Sequence, residues 1–441
     1  MSIYTVEGPA PRDPGQPFWD ADIQTMPREQ LRALQETRFK EMISRIFNTP
    51  VPFYVRKLQA AGITSPSDIR GLDDLADLPT TSKQDLRDAE AAYPPFGDYR
   101  FFDPRLGIRI GTSTGTTGTP TLMVWTRRDV LVECECQSRC MWRGGQRPGA
   151  VVAHAHPAYL YPGALMMQTY FEYFGILGIS LPPPDSDETL GRSVEFLKRF
   201  KPDRSAMAFS HSRFVEYAAR HGLDAREDLG LVETRVTPSP SSGIPLASAG
   251  LECFGPLGSA CSNQRGAHIA EDHAVVEALD PTTGRSVPDG EWGNLVVTTF
   301  GRDSCHLRYD LQEAVRIERT ECGCGETSIR AWWGGRFKDI VSTQGSSFTF
   351  LDVNAVLSDP AIALDTPTAE YVVVRPASSD APVALYLESR DPANTTLNDR
   401  VATSLNERLG VKFEVTLIPE QTLARAEYKQ ERLVDRPPSV G

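Results

Sequence analysis

The sequence predicts an α/β protein: a large N-terminal unit of layered β-sheets and helices, followed by a small α+β C-terminal unit. Three observations carry this. At 441 residues the chain is too long for one ordinary core. Its middle alternates short apolar runs with helical patterns, as at 150–153, 176–181, 194–200 and 214–220. After about Gly335 the pattern changes, with strands at 371–375 and 383–387 and a helix at 397–409, a domain of about a hundred residues.

The elements follow in order. Leu31, Leu34, Phe39, Met42, Ile43 and Ile46 fall at helical spacing, so 27–53 reads as helix closed by Pro50 and Pro52. A second helix covers 55–61 and stops at Gly62. Thr80-Thr81-Ser82 ahead of Asp85 reads as a capped helix start. Strands are expected at 106–110 and 121–125, with a Gly/Thr loop between them as a hairpin-type turn, then a helix over 129–141. Residues 294–300 read as a buried strand after the turn Pro288-Asp289-Gly290, and the tail 436–441 reads as disordered.

Bulk properties narrow the function. A net charge of -12 repels nucleic acid and anionic membranes, so neither is expected as a partner. The first twenty residues hold no apolar signal core, and no apolar run is long enough to span a bilayer, which points to a cytoplasmic protein. The eight cysteines are then expected as free, buried or metal-bound thiols rather than disulfides. Cys134, Cys136 and Cys140 fall on a helix and read as core thiols.

The loop Ser113-Thr114-Gly115-Thr116-Thr117-Gly118 is the strongest chemical signal. Glycines let successive backbone N–H groups converge on an anion, and hydroxyls add neutral donors to phosphate oxygens. No Gly-Lys-Ser/Thr ends it, so it is not a Walker loop. By composition alone, a solvated hairpin turn fits equally well. Cys322-Gly323-Cys324 with Cys261 and His268 makes a Cys3His set suited to a closed zinc site.

Ser-Thr-Gly-Thr-Thr-Gly-Thr-Pro-Thr from Ser113, followed by Trp125-Thr126-Arg127-Arg128-Asp129, resembles the phosphate loop of the acyl-adenylate-forming superfamily, and more narrowly the phenylacetate–coenzyme A ligase family. Phe18-Trp19-Asp20, Met26-Pro27-Arg28, Val51-Pro52-Phe53-Tyr54 and Leu78-Pro79-Thr80-Thr81-Ser82-Lys83 agree, and the resemblance runs in order from Phe18 to Asp435. It implies an adenylate-forming domain over 1–337 and a small mobile C-terminal domain over 338–441. The implied activity is ATP-dependent activation of a small, aromatic acid, with coenzyme A as acceptor and magnesium on the phosphates.

The resemblance also implies residue roles. Glu313, in His306-Leu-Arg-Tyr-Asp-Leu-Gln-Glu, stands where the family usually has the Asp that holds the ribose hydroxyls of ATP. Arg336 would contact ribose or phosphate, Lys338 would be the hinge, and Lys429 the adenylation lysine. Thr116 or Thr117 and Glu252 would hold magnesium. A structural zinc on Cys261, His268, Cys322 and Cys324, and a homodimer, are further family expectations.

The pattern breaks in two places. Around Ser239, Val236–Gly243 replaces the usual adenine loop, and in Ser248-Ala249-Gly250-Leu251-Glu252 only the glutamate of the aromatic-Gly-x-Thr/Ser-Glu motif survives. Placing that motif on Phe254-Gly255 instead keeps the aromatic pair and loses the acid. His154, His156, Tyr159 and Tyr161 occupy the region that lines the family's aryl pocket, where ordinary core packing is the competing reading. The altered pocket leaves open amide formation, carrier-protein loading or nitrite activation, and a non-catalytic homologue.

Overall fold

The computed structural model describes residues 12–49, 51–113, 120–155, 160, 162–182, 186–206, 211–224, 227–230, 249–251, 254–263, 266–357, 359, 362, 370–424 and 431–438. Helices α1 (Ala21–Gln24), α2 (Arg28–Asn48) and α3 (Pro52–Ala60) come first. Leu31, Phe39, Met42, Ile43 and Ile46 of α2 are buried, as their spacing requires. Strand β1 (Thr81–Ser82) runs straight into α4 (Lys83–Ala92), and Ser82 and Asp85 cap each other's backbone amides there.

Hairpin β2 (Arg109–Thr112) and β3 (Leu122–Trp125) brackets the Gly/Thr loop, so the hairpin reading of its flanks holds. The first strand begins later than expected. Asp103 accepts the Arg105 amide and winds Pro104–Leu106 into a 3-10 turn, leaving Leu106 outside the strand. Helix α5 (Arg127–Arg143) follows, opened by a capping box between Thr126 and Asp129. Cys134, Cys136 and Cys140 lie buried on it, and burial raises each thiol pKa.

Next come β4 (Val151–His154), α6 (Pro162–Phe174), β5 (Leu177–Ser180), α7 (Asp187–Phe200), β6 (Arg204–Ala206) and α8 (His211–Arg220). Among the described residues the three strands form a parallel sheet in the order β5-β4-β6, with Leu190, Val194 and Leu197 of α7 packed on it.

The largest sheet is built from β7 (Ala249–Leu251), β8 (Phe254–Ala260), β9 (Ala267–Ile269), β10 (Ala274–Leu279), β11 (Trp292–Thr299), β12 (His306–Glu318) and β13 (Arg330–Arg336). Its order is β10-β11-β12-β13-β9-β8-β7, antiparallel throughout except that β1 pairs parallel to β12. Helices α2 to α4 cover it, with Phe39, Tyr54 and Leu86 against Val297, Leu307 and Tyr309 in one core.

The remainder comprises β14 (Val341–Thr343), β15 (Ser346–Phe348), α9 (Phe350–Leu357), β16 (Tyr371–Val374), β17 (Val383–Ser389), α10 (Thr395–Leu409), β18 (Phe413–Pro419) and β19 (Leu433–Val434). Strands pair in the order β18-β17-β16-β19. One core joins Val341, Phe348, Leu385, Leu397 and Phe413, and it is separate from the core under the large sheet. No described helix is long and apolar enough to cross a membrane.

Candidate nucleotide site and metal centre

Thr114, Gly115, Thr116, Thr117 and Gly118 lie outside the described residues, as do Ser239, Glu252, His156, Tyr159, Tyr161 and Lys429. The base of the phosphate loop is described, and it is clamped. Ser113 donates its amide to the Thr121 carbonyl at 3.0 Å, and its hydroxyl accepts the Thr121 amide at 3.0 Å. One residue further, the Leu122 amide donates to Glu90 Oε1 at 3.0 Å and the Leu122 carbonyl accepts from Arg100 at 2.9 Å. The loop therefore springs from two fixed ends.

Glu313 and Arg336 come from motifs 23 residues apart in sequence, yet they face each other as register partners on β12 and β13. The large sheet thus brings together two of the residues expected at the nucleotide. Arg336 ends β13, and the next turn, Phe337–Asp339, carries Lys338 towards β14. The Lys338 carbonyl accepts from Arg375 at 3.2 Å, an arginine at the end of β16. Gly335 has φ +86°, and a side chain there would run into Phe350 of α9. This is a position that only glycine fills without strain.

His154 sits at the C-terminal end of β4, the edge of a parallel sheet where ligands commonly bind. Its ring is buried edge-on against Phe171 at 5.6 Å, and burial lowers its pKa, so the imidazole is neutral.

The four metal-ligand candidates do converge. Cys261 follows β8, His268 lies on β9, and Cys322 and Cys324 lie in the β12–β13 loop, with all four donor atoms within 4.8 Å of one another. Cys261 Sγ stands 3.5 Å from Cys322 Sγ, and Cys324 Sγ 3.3 Å from His268 Nε2. Four bonds of zinc length would need donors ~3.8 Å apart, so this set fits with small adjustments. His268 Nδ1 lies 3.1 Å from Ser328 Oγ and 3.3 Å from the Ser328 carbonyl, which favours a proton on Nδ1 and leaves Nε2 as ligand. Burial lowers the His268 pKa to about 4 and pushes the Cys261 thiol up to about 12.

Residue-type reasoning missed the supports of this centre. Asn263 donates to the Cys322 carbonyl at 2.9 Å, and the Glu326 amide reaches Cys324 Sγ at 3.4 Å. The Glu326 carboxylate in turn holds Arg143 of α5 at 2.6 and 2.7 Å. Short polar residues flanking the ligands were the available signal. Glu271 and Asp272, between His268 and His273, are taken up by Arg28 and Arg139 and act structurally.

No protein-family model matches the chain. It is 31% identical to the phenylacetate–coenzyme A ligase of Thermus thermophilus over a 458-residue alignment covering 95% of this chain and 99% of that one. The chain belongs to the phenylacetate–coenzyme A ligase family. A second member, from Aromatoleum evansii, is 30% identical and covers 67% of the chain and 68% of its own length. Among solved structures, 2-hydroxyisobutyryl-coenzyme A ligase in its postadenylation state with 2-HIB-AMP gives a TM-score of 0.80 at 23% identity, covering 99% of this chain and 95% of that one. The same ligase in its thioesterification state gives 0.67, covering 98% and 94%. These are likenesses of fold. Family and fold together make this an adenylate-forming ligase.

Proposed function

We propose that the chain activates a small, aromatic carboxylic acid with ATP and passes the acyl group to coenzyme A. The observation that carries this reading is the Glu313–Arg336 pairing beside the hinge, in a member of this family. A carboxylate at Glu313 accepts two hydroxyl hydrogen bonds, which suits the ribose. Arg336, one strand away, is placed for ribose or phosphate. The acid's carboxylate oxygen attacks the α-phosphorus and pyrophosphate leaves. Lys429 bridges the two reacting groups as charge builds between them. The thiol then attacks the acyl carbonyl, and AMP departs with the electron pair of the broken C–O bond. Magnesium would neutralise phosphate charge, held by Thr116 or Thr117 and Glu252.

The division at 337/338 belongs to the same reading. Arg336 ends a strand of the large sheet while Val341 lies in the second core, which supports a hinge at Lys338. Zinc on Cys261, His268, Cys322 and Cys324 would be structural, since four protein ligands leave no open position. A cytoplasmic homodimer completes the proposal, and light scattering tests the dimer.

The experiment is acid-dependent pyrophosphate exchange in Lys429→Ala. Loss of exchange is expected, and wild-type rates would refute the assignment. Bound zinc below about a tenth of an equivalent per chain would remove the metal centre, because structural sites bind far too tightly to be that empty.

The departures around Ser239 and Glu252 favour a second reading, in which adenylation stays and the acid or acceptor changes. Amines, carrier proteins and nitrite are the alternatives. An acid-by-acceptor screen read by mass spectrometry separates them, and absence of any ATP binding would point to a non-catalytic homologue.

A further inference from the structure

Strand β12 does not run evenly past its neighbours. Asn294 pairs with Ala314, but Val296 pairs with Asp310, so β12 takes four steps where β11 takes two. Leu311, Gln312 and Glu313 lie opposite Leu295 alone, a surplus of two residues and a bulge that ends on the proposed ribose-binding carboxylate. On the other side Glu313 faces Arg336 and Val315 faces Trp333, a second register shift at the same point. Bulges of this kind re-aim side chains next to active sites.

The bulge turns on Gln312, whose φ is +56°. L-residues avoid that region, and glutamine lacks the short polar side chain that lets asparagine or aspartate settle there. Its side chain is exposed, so packing does not impose the conformation. A hydrogen bond does. The Gln312 amide donates to Asp310 Oδ1 at 2.9 Å, and the same oxygen accepts from Asn294 Nδ2 at 2.8 Å. Asp310 thereby closes a short loop onto its own strand, and Asn294 ties it to β11.

We infer that Asp310, steadied by Asn294, is a positioning residue that holds Gln312 in the left-handed turn and so aims Glu313 at the nucleotide. The inference rests on the proposal that Glu313 holds the ribose.

The test measures the KM for ATP, kcat and the thermal midpoint in the full-length enzyme, beginning with Glu313→Ala. If Glu313→Ala leaves the KM for ATP unchanged, the ribose reading itself fails. If it raises the KM, Asp310→Ala is expected to raise it about tenfold with little change in kcat, because binding and not chemistry is disturbed. Asp310→Asn keeps an acceptor oxygen and is expected to stay within about threefold of wild type. The decisive variant is Asp310→Ala/Gln312→Gly. Glycine takes positive φ without help, so the KM is expected to return to within about threefold of wild type. Two results overturn the inference: a wild-type KM in Asp310→Ala, or a double variant that folds normally and binds ATP as poorly as Asp310→Ala.

Discussion

Between residues 12 and 336 the described core contains paired charges, whereas the described core cluster of residues 341–433 is aliphatic and aromatic, with Glu388 buried beside it on the Leu423 amide and the described ion pairs half-buried or exposed. In the first, Arg302 reaches Glu133 at 2.9 Å and Asp129 at 3.4 Å, all three side chains being at most 1% exposed. Arg308 with Glu277, Arg139 with Asp272 and Arg143 with Glu326 are likewise buried. In the second, Val353, Leu385, Leu397, Val401 and Leu405 are fully buried, while Arg408–Asp359 and Arg390–Glu420 are solvent-accessible. Buried pairs cost desolvation and gain little net stability, but they tolerate only one arrangement. Apolar packing is non-directional. The large unit holds residues from many strands in one register.

Arg302→Ala tests this contrast most severely. It strands Asp129 and Glu133 in the core, and a loss of about 3–5 kcal/mol is expected in denaturant unfolding. A loss below about 1 kcal/mol, the scale of a surface pair, would remove the distinction between the two cores. Leu385→Ala should cost about 2–5 kcal/mol through the cavity it leaves. Here the calorimetric trace matters more than the size: an early transition confined to the small unit is expected, and uniform destabilisation of the chain would show the cores to be coupled.

Acid gives a milder and more selective probe, because the sequence holds no histidine after His306. Burial, with Arg100 and Arg302 nearby, lowers His306 to about 3. Burial also lowers His273 to about 4, against the pull of Asp272. The unfolded chain takes up these protons first, near pH 6.5, so the large unit loses stability as pH falls from there towards 3. His306→Gln should flatten that decline between pH 6.5 and 4, while the transition of the small unit is unaffected. An unchanged slope in His306→Gln would mean that His306 is protonated in the fold.

Much of this was legible in the sequence, for reasons that differ from residue to residue. The helix at 28–48 was readable because its apolar positions repeat with the helical turn. The metal set was readable because cysteine and histidine have few other reasons to cluster. Helix α5 was readable as a helix, but the burial of its charged side was not, since Asp129, Glu133 and Arg139 look like a solvated face until Arg302 and Asp272 meet them from the β11–β12 and β9–β10 loops. The pairing of Glu313 with Arg336 depends on register shifts that leave no mark on residue type. The aryl-pocket expectation at His154 meets a ring packed on Phe171, and its partners His156, Tyr159 and Tyr161 lie outside the described residues.

The short passage from Arg336 to Val341 has one more consequence. Because the large sheet is finished by the first of these residues and the second core has begun by the last, the two parts can be separated without cutting either. A graft made at residues 337–340 would carry a complete small unit from one relative to another. Among the described residues, the contacts it would have to reproduce include the Arg375 bond to the Lys338 carbonyl and the seats of Thr349 and Phe350 against Gly334 and Gly335.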